Sequence, residues 1–334
     1  MRKYSIVIGL VIIAVILVMA TVMPGKFFKS SLAENLHLTA KGLPAMSAAE
    51  SKADAQELEK KENGQKDLKA TDAQKEEAGK NDSGVEAKPS PARPAVTSVS
   101  TPTNVKGVYV TGWIAGAPKS MASVINFVDK TEVNSVVIDV KDDEGTLSYK
   151  SNVPLAVQTN AGERKVSDIV ALLKTLREHN IYPIARIVTF KDPHLAAARP
   201  DMAVQDKNGG YWKDRKGLKW VDPYDKEVWK YNVDIAEEAM SYGFKEIQFD
   251  YVRFTSDGII RNCLYSHSDG TPKEDVIKNF LSYAKERLKK YNAIISADVF
   301  GLTLSAEDDL GIGQKIEKVG SAVDVLSPMV YPSH

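Results

Sequence analysis

Between Val105 and His334 the chain reads as six short apolar runs separated by segments of helical periodicity. The runs are "VKGVYVTG" (105 to 112), "SVVIDVK" (135 to 141), "YPIARIVTF" (182 to 190), "QFDYVRF" (248 to 254), "IISADVFG" (294 to 301) and "VDVLSPMVYP" (323 to 332). Strand and helix alternating at such spacings require crossover connections, which implies a parallel sheet of the α/β class. The segments between carry helix signals. Residues 120 to 130 set Val124, Ile125 and Val128 on one face, and Ser167 caps a helix bearing Ile169, Leu172, Leu173 and Leu176. Asp225 caps a long helix lined by Val228, Tyr231, Ile235 and Ala239, and Gly243 stops it. "TPKE" offers Thr271 as N-cap, Pro272 as the first helical residue and Glu274 as capping-box partner, and 308 to 319 reads as the last helix.

A doubly wound sheet and a barrel both fit this order. No G-x-G-x-x-G follows the first run, which removes the main support for a dinucleotide-binding sheet. Asp139, Arg186, Asp250, Asp298 and Tyr331 fall in the middle or later part of their strands, and the C-terminal strand ends of a (β/α) barrel converge on one mouth. The expected fold is therefore a TIM-type (β/α)8 barrel. Because His334 follows directly on the sixth strand, the reading is of a barrel truncated at that point.

The first third of the chain has another character. Residues 4 to 23, "YSIVIGLVIIAVILVMATVM", carry no charge and follow Arg2 and Lys3. At ~1.5 Å per residue such a run spans roughly 30 Å, the thickness of a bilayer core. It is either an uncleaved signal anchor or a cleaved signal peptide; its length and the lack of an A-x-A site favour the anchor. Arg2 and Lys3 then stay cytoplasmic, and everything beyond residue 24 lies outside the cell. Residues 24 to 104 are rich in Lys, Glu and Ala and then in Pro and Ser, with too few large apolar side chains to offset the entropy of ordering. They read as a disordered tether spanning on the order of 50 Å. Cys263 is the only cysteine, which excludes an internal disulfide, and 44 basic against 44 acidic residues leave no electrostatic case for a nucleic-acid partner.

In a strand, side chains alternate faces. Asp139 and Lys141 thus share one face of the second strand, Ile184, Arg186 and Val188 one face of the third, Gln248, Asp250 and Val252 one face of the fourth, Ser296 and Asp298 one face of the fifth, and Ser327, Met329 and Tyr331 one face of the sixth. If these faces are inward, the mouth collects three carboxylates with Arg186 and Lys141 among them. A structural ion-pair network is the plainer explanation for any one of these residues. For five strands at once it is a poor one, since buried charge gains little over apolar packing. Arg253, on the opposite parity, is expected to pair with a helix or loop carboxylate. Carboxylates in unlike environments suit glycosidic cleavage, one acting as general acid while the other is nucleophile or activates water. Arg186 would keep Asp250 ionised as nucleophile or base, and the less compensated Asp298 would retain its proton as acid. The loop "DKNGGYWKDRKGLKWVDP" holds Tyr211, Trp212 and Trp220, either a platform for sugar rings or a mini-core pinning the loop. Trp113 would close the floor of the same pocket, and Asp139, Lys141, Arg186 and Tyr331 would contact substrate. The five histidines show no metal-ligand spacing, "DVKDDEGTL" lacks the spacing of a calcium loop, and no G-x-S-x-G is present, so neither metal nor cofactor is expected.

The stretches "VKGVYVTGWIAG", "VVIDVKDDEGTLSYKS", "YPIARIVTFKDP", "WVDPYDKEVWKYNVDIAEEAMSYGFKEIQFDYVRF", "ISADVFG" and "LSPMVYPSH" make residues 105 to 334 resemble a glycoside hydrolase domain family of bacterial (β/α) barrels, distantly similar to alpha-amylase-type glycosidases. The resemblance implies a sugar-active barrel with Asp250 in the fourth-strand position where amylase-type enzymes keep their nucleophile. The fifth-strand acid of that group is Glu, whereas this chain carries Asp298. The expectation is a membrane-tethered extracellular glycoside hydrolase acting on a polysaccharide; the alternative is a non-catalytic carbohydrate-binding or cell-envelope interaction protein on the same scaffold.

Overall fold

The computed structural model describes residues 99 to 330. The expected membrane segment at 4 to 23, nearly all of the tether, and Tyr331 lie outside the described residues. Strands β1 (Gly107–Val110), β2 (Ser135–Lys141), β3 (Tyr182–Val188), β4 (Gln205–Asp206), β5 (Glu246–Asp250), β6 (Cys263–Leu264), β7 (Ile294–Phe300) and β8 (Val325–Met329) form two sheets. The larger has the order β1-β2-β3-β5-β7-β8, and every neighbouring pair in it is parallel. β4 and β6 form a small antiparallel ribbon.

This order never reverses. A doubly wound sheet turns back at a switch point, whereas right-handed crossovers in unbroken sequence stack all the helices on one face. The two faces differ accordingly. Val136 and Ile138, Ala185 and Ile187, Ile247 and Phe249, and Ile295, Ala297 and Val299 face the helices and are almost wholly buried. Each such Val, Ile or Phe side chain contributes about 1.5–3 kcal/mol by leaving water, and each Ala about 0.8 kcal/mol. The helix Lys273–Leu288 seals this layer with Val276, Ile277, Phe280, Leu281, Ala284 and Leu288, and the Phe280 ring meets Phe249 edge-on at 5.2 Å. The opposite face carries Asp139, Arg186, Gln248 and Ser296 side by side in register.

Most helix ends match their sequence signals. Asp225 accepts from the Glu227 amide at 2.8 Å, and Gly243 ends the helix Lys226–Tyr242 at φ 122°. Others shift. The cap of Ile169–Glu178 is Asp168, not Ser167, because the Asp168 carboxylate reaches the Ala171 amide at 2.9 Å. Pro272, not Thr271, is the N-cap of Lys273–Leu288: its backbone is extended (ψ 143°), and no side chain caps that end. The last helix is Ile316–Ala322 rather than 308 to 319.

The fourth main strand also stops early. Asp250 is its last residue, and Tyr251 adopts a left-handed conformation (φ 48°). The Asp250 carboxylate accepts the Tyr251 amide at 2.6 Å, which holds the turn. Arg253 is therefore a loop residue, and strand parity does not apply to it.

Candidate active site

Asp139 near the end of β2, Arg186 in β3 and Asp250 at the end of β5 meet on the polar face. The Arg186 guanidinium bridges the carboxylates: Nη1 donates to Asp139 Oδ1 at 2.6 Å, and Nε and Nη2 donate to Asp250 Oδ2 at 3.0 and 2.5 Å. Flanking carboxylates and their hydrogen bonds raise the Arg186 pKa against the opposing effect of burial. Tyr109 in β1 donates its hydroxyl to Asp139 Oδ2 at 2.6 Å, and its ring lies 5.5 Å from the Arg186 guanidinium. Burial raises the Asp139 carboxyl above its usual range although Arg186 pulls the other way.

Asp298 stands apart from that clasp. Its one side-chain partner among the described residues is Gln248, whose Nε2 donates to Oδ1 at 2.6 Å. Burial, then the charge of Asp250, pushes the Asp298 carboxyl from 3.8 up to about 7. The neighbouring backbone is pinned by buried Gln314, whose Nε2 reaches the Asp298 and Val252 carbonyls at 3.1 and 3.4 Å while its Oε1 accepts the Phe300 amide at 3.0 Å. The polar face thus offers one carboxylate gripped by a cation and one carboxyl that titrates near neutrality, the division of labour that general acid–base chemistry needs.

Lys141 does not join them. A register shift between Asp139 and Lys141 inserts Val140 as an extra residue, so Lys141 turns to the helix side. There it is fully buried, with Nζ donating to Asp192 Oδ2 at 2.8 Å and to Asn232 Oδ1 at 2.7 Å. Trp212 and Trp220 are also buried, at 1% and 2% exposure, and form the mini-core of their loop rather than an open platform. The indole N–H of Trp212 bonds the Ile259 carbonyl at 3.0 Å, and Trp220 packs against Tyr251 at 5.7 Å. Trp113, by contrast, sits in the short helix Gly112–Gly116 directly after β1 and is 66% exposed, with Lys165 Nζ 5.6 Å from its ring. In the "DVKDDEGTL" loop the carboxylates of Asp142 and Asp143 pair with Lys165 and Lys191.

Arg253, expected to pair with a carboxylate, has none within 4.0 Å among the described residues. It lies among rings instead: its Cζ is 4.6 Å from Phe300, 4.9 Å from Trp220 and 5.0 Å from Tyr251. Three contributors escaped sequence reasoning. Gln248 was placed on the Asp250 face without a role, which its position two residues before Asp250 could have suggested; Tyr109 could have been found as the polar-tipped residue on the inner parity of β1. The left-handed Tyr251 had no local signal.

A solved structure of a hypothetical protein from Ruminiclostridium thermocellum ATCC 27405 is 38% identical, over 61% of this chain and 98% of that one, with a TM-score of 0.54. More distant similarities are to the maltogenic alpha-amylase AmyB from Thermotoga neapolitana (14% identity, 67% of this chain and 49% of that one, TM-score 0.43) and to the chitobiase of Flavobacterium johnsoniae (11%, 67% and 38%, TM-score 0.47). The chain thus spans half or less of these two. No curated protein matches it. The family model described as "Putative glycosyl hydrolase domain" matches residues 107–334, and the chain belongs to that family.

Proposed function

We propose that the domain is a glycoside hydrolase in which Asp250 serves as nucleophile or base and Asp298 as general acid, on a sheet that is part of a TIM-type (β/α)8 barrel. The observation that carries the reading is the contrast between the two carboxyls. Asp250 receives two guanidinium N–H groups, while Asp298 receives one amide N–H and titrates at about 7. An acid poised there can protonate a leaving glycosidic oxygen near neutral pH. Arg186 and Asp139 hold the base in place, and Tyr109 holds Asp139. Trp113 offers an exposed indole face at the same end of the sheet on which a sugar ring can stack.

The substrate on this reading is a polysaccharide outside the cell, reached by a head tethered through the segment at residues 4 to 23. Release of reducing ends from a panel of envelope and storage glycans tests the activity. Wild-type release that Asp250→Asn abolishes while glycan binding persists supports it; binding without any release by the wild type favours a non-catalytic carbohydrate-binding protein. Extraction of the full chain from membranes by alkaline carbonate would argue against the tether.

A further inference from the structure

Four cationic side chains are buried among the described residues: Lys141, Lys165, Lys191 and Arg253. The first three are ion-paired, with Asp192, Asp142 and Asp143. Arg253 is 6% exposed and has no carboxylate within 4.0 Å. An unpaired buried charge is costly, and three aromatic faces compensate only part of that cost.

The hydrogen-bond inventory is incomplete in the same place. A guanidinium has five N–H donors. Nη1 of Arg253 donates to the Phe254 carbonyl at 3.1 Å and to Ser256 Oγ at 2.6 Å. Nε and Nη2 donate to no described residue, and neither belongs to the side-chain atoms sealed from solvent without a partner. Nη1 is thus satisfied, and the Nε–Nη2 edge has no partner among the described residues.

The Arg253 guanidinium borders the candidate active site. Phe300 is two residues beyond Asp298 on β7, so both side chains leave the same face. Arg253 stacks 4.6 Å from that ring and 5.0 Å from Tyr251, the residue after Asp250. Lys191, paired with Asp143, has its Nζ 4.8 Å from the same Tyr251 ring.

We propose that the Nε–Nη2 edge of Arg253 binds the carboxylate of an acidic sugar, so that the substrate is a glycan containing uronic acid. This rests on the glycosidase reading above and names its substrate class. A planar carboxylate matches a two-pronged guanidinium edge. A single negative charge also suits the surroundings better than a dianion would, because the charges of Asp250 and Asp257 already act on Arg253.

The test is titration calorimetry on the full-length chain in detergent with oligosaccharides from polygalacturonate, glucuronan and alginate, each beside its carboxyl-reduced counterpart of identical linkage. O-sulfated neutral oligosaccharides form a third arm. At least one acidic oligosaccharide should bind roughly 10- to 100-fold more tightly than its reduced form, the range of a charge-assisted hydrogen-bonded contact. Arg253→Gln should erase that preference, and Arg253→Lys should retain part of it. If Arg253→Gln does not fold, the wild-type preference and the lysine variant decide. No preference for any acidic chain, an undiminished preference in Arg253→Gln, or tighter binding of sulfated chains than of uronates would overturn the proposal. Acid-selective binding without release of reducing ends would remove the hydrolase reading and leave this one, whereas cleavage of neutral chains with no acid preference would do the reverse.

Discussion

Replacing Asp298 by Asn isolates the charge that β7 holds against the polar face. Asp298 is 7% exposed, and burial together with the Asp250 charge moves its carboxyl from 3.8 to about 7. The unfolded chain releases this proton near 3.8, while the folded chain keeps it until about 7. Across that window the folded state binds more protons, so the contribution of Asp298 to stability falls as pH rises and levels off above 7. At roughly 1.36 kcal/mol per pH unit, the cost at pH 8 reaches about 4 kcal/mol. Asparagine has no charge to desolvate, and its Oδ1 can still accept the 2.6 Å bond from Gln248. The variant should therefore be more stable than wild type at pH 8, by as much as about 4 kcal/mol, with the gain shrinking below about 1 kcal/mol at pH 4. Urea unfolding of both proteins at pH 4, 6 and 8 measures this difference directly. A difference that does not change with pH, or one that favours wild type at pH 8, would refute the assignment of a strained carboxyl to this position. The same substitution removes the proposed acid, so hydrolysis should fall by about 100-fold or more as stability rises.

The remaining expectations concern the clasp, the buried pair and the aromatic side chains. Asp250→Asn should lower hydrolysis by about 1,000-fold or more, read as reducing-end release, while calorimetry shows glycan binding retained. Lys141→Met strands Asp192 in a site where both side chains are fully buried and should cost about 3–5 kcal/mol in urea unfolding. Adding Asp192→Leu should recover most of that, less about 1 kcal/mol for the lost cap on the Leu195 amide; no recovery would mean the pair is not the source of the loss. Trp113→Ala should weaken glycan binding with little change in melting, whereas Trp220→Ala should cost about 3–5 kcal/mol of stability. Equal thermal effects from the two would contradict their opposite exposures.

Where the sequence was legible, local and global demands coincide. The six main strands follow their apolar runs because each must bury one face beneath helices, and the Asp225 and Gly243 signals work because cap and stop are satisfied within a few residues. The "TPKE" signal misled because Pro272 itself takes the extended cap position, while the Thr271 carbonyl accepts from the distant Tyr224 hydroxyl at 2.9 Å. Trp212 and Trp220 were ambiguous for a similar reason. An indole amid Gly and Lys reads the same whether its N–H faces water or finds Ile259 and Asp214, far away or six residues back.

The failures of strand parity are of another kind. Lys141 is turned by an extra residue after Asp139, and Arg253 by a left-handed residue after Asp250. Neither irregularity leaves a trace in a period-two pattern, because each changes one residue's backbone and leaves the alternation of side-chain types on either side unchanged. Both begin within one residue of a carboxylate in the Arg186 clasp. A strand that simply ran on past Asp250 would carry Arg253 to the helix side by alternation, away from the ring of Phe300. The break instead leaves a guanidinium with unused donors on the face that holds Asp298. Departures from regular backbone tend to persist where they position chemistry, so these two broken registers are themselves a pointer to the site, independent of any resemblance to known glycosidases.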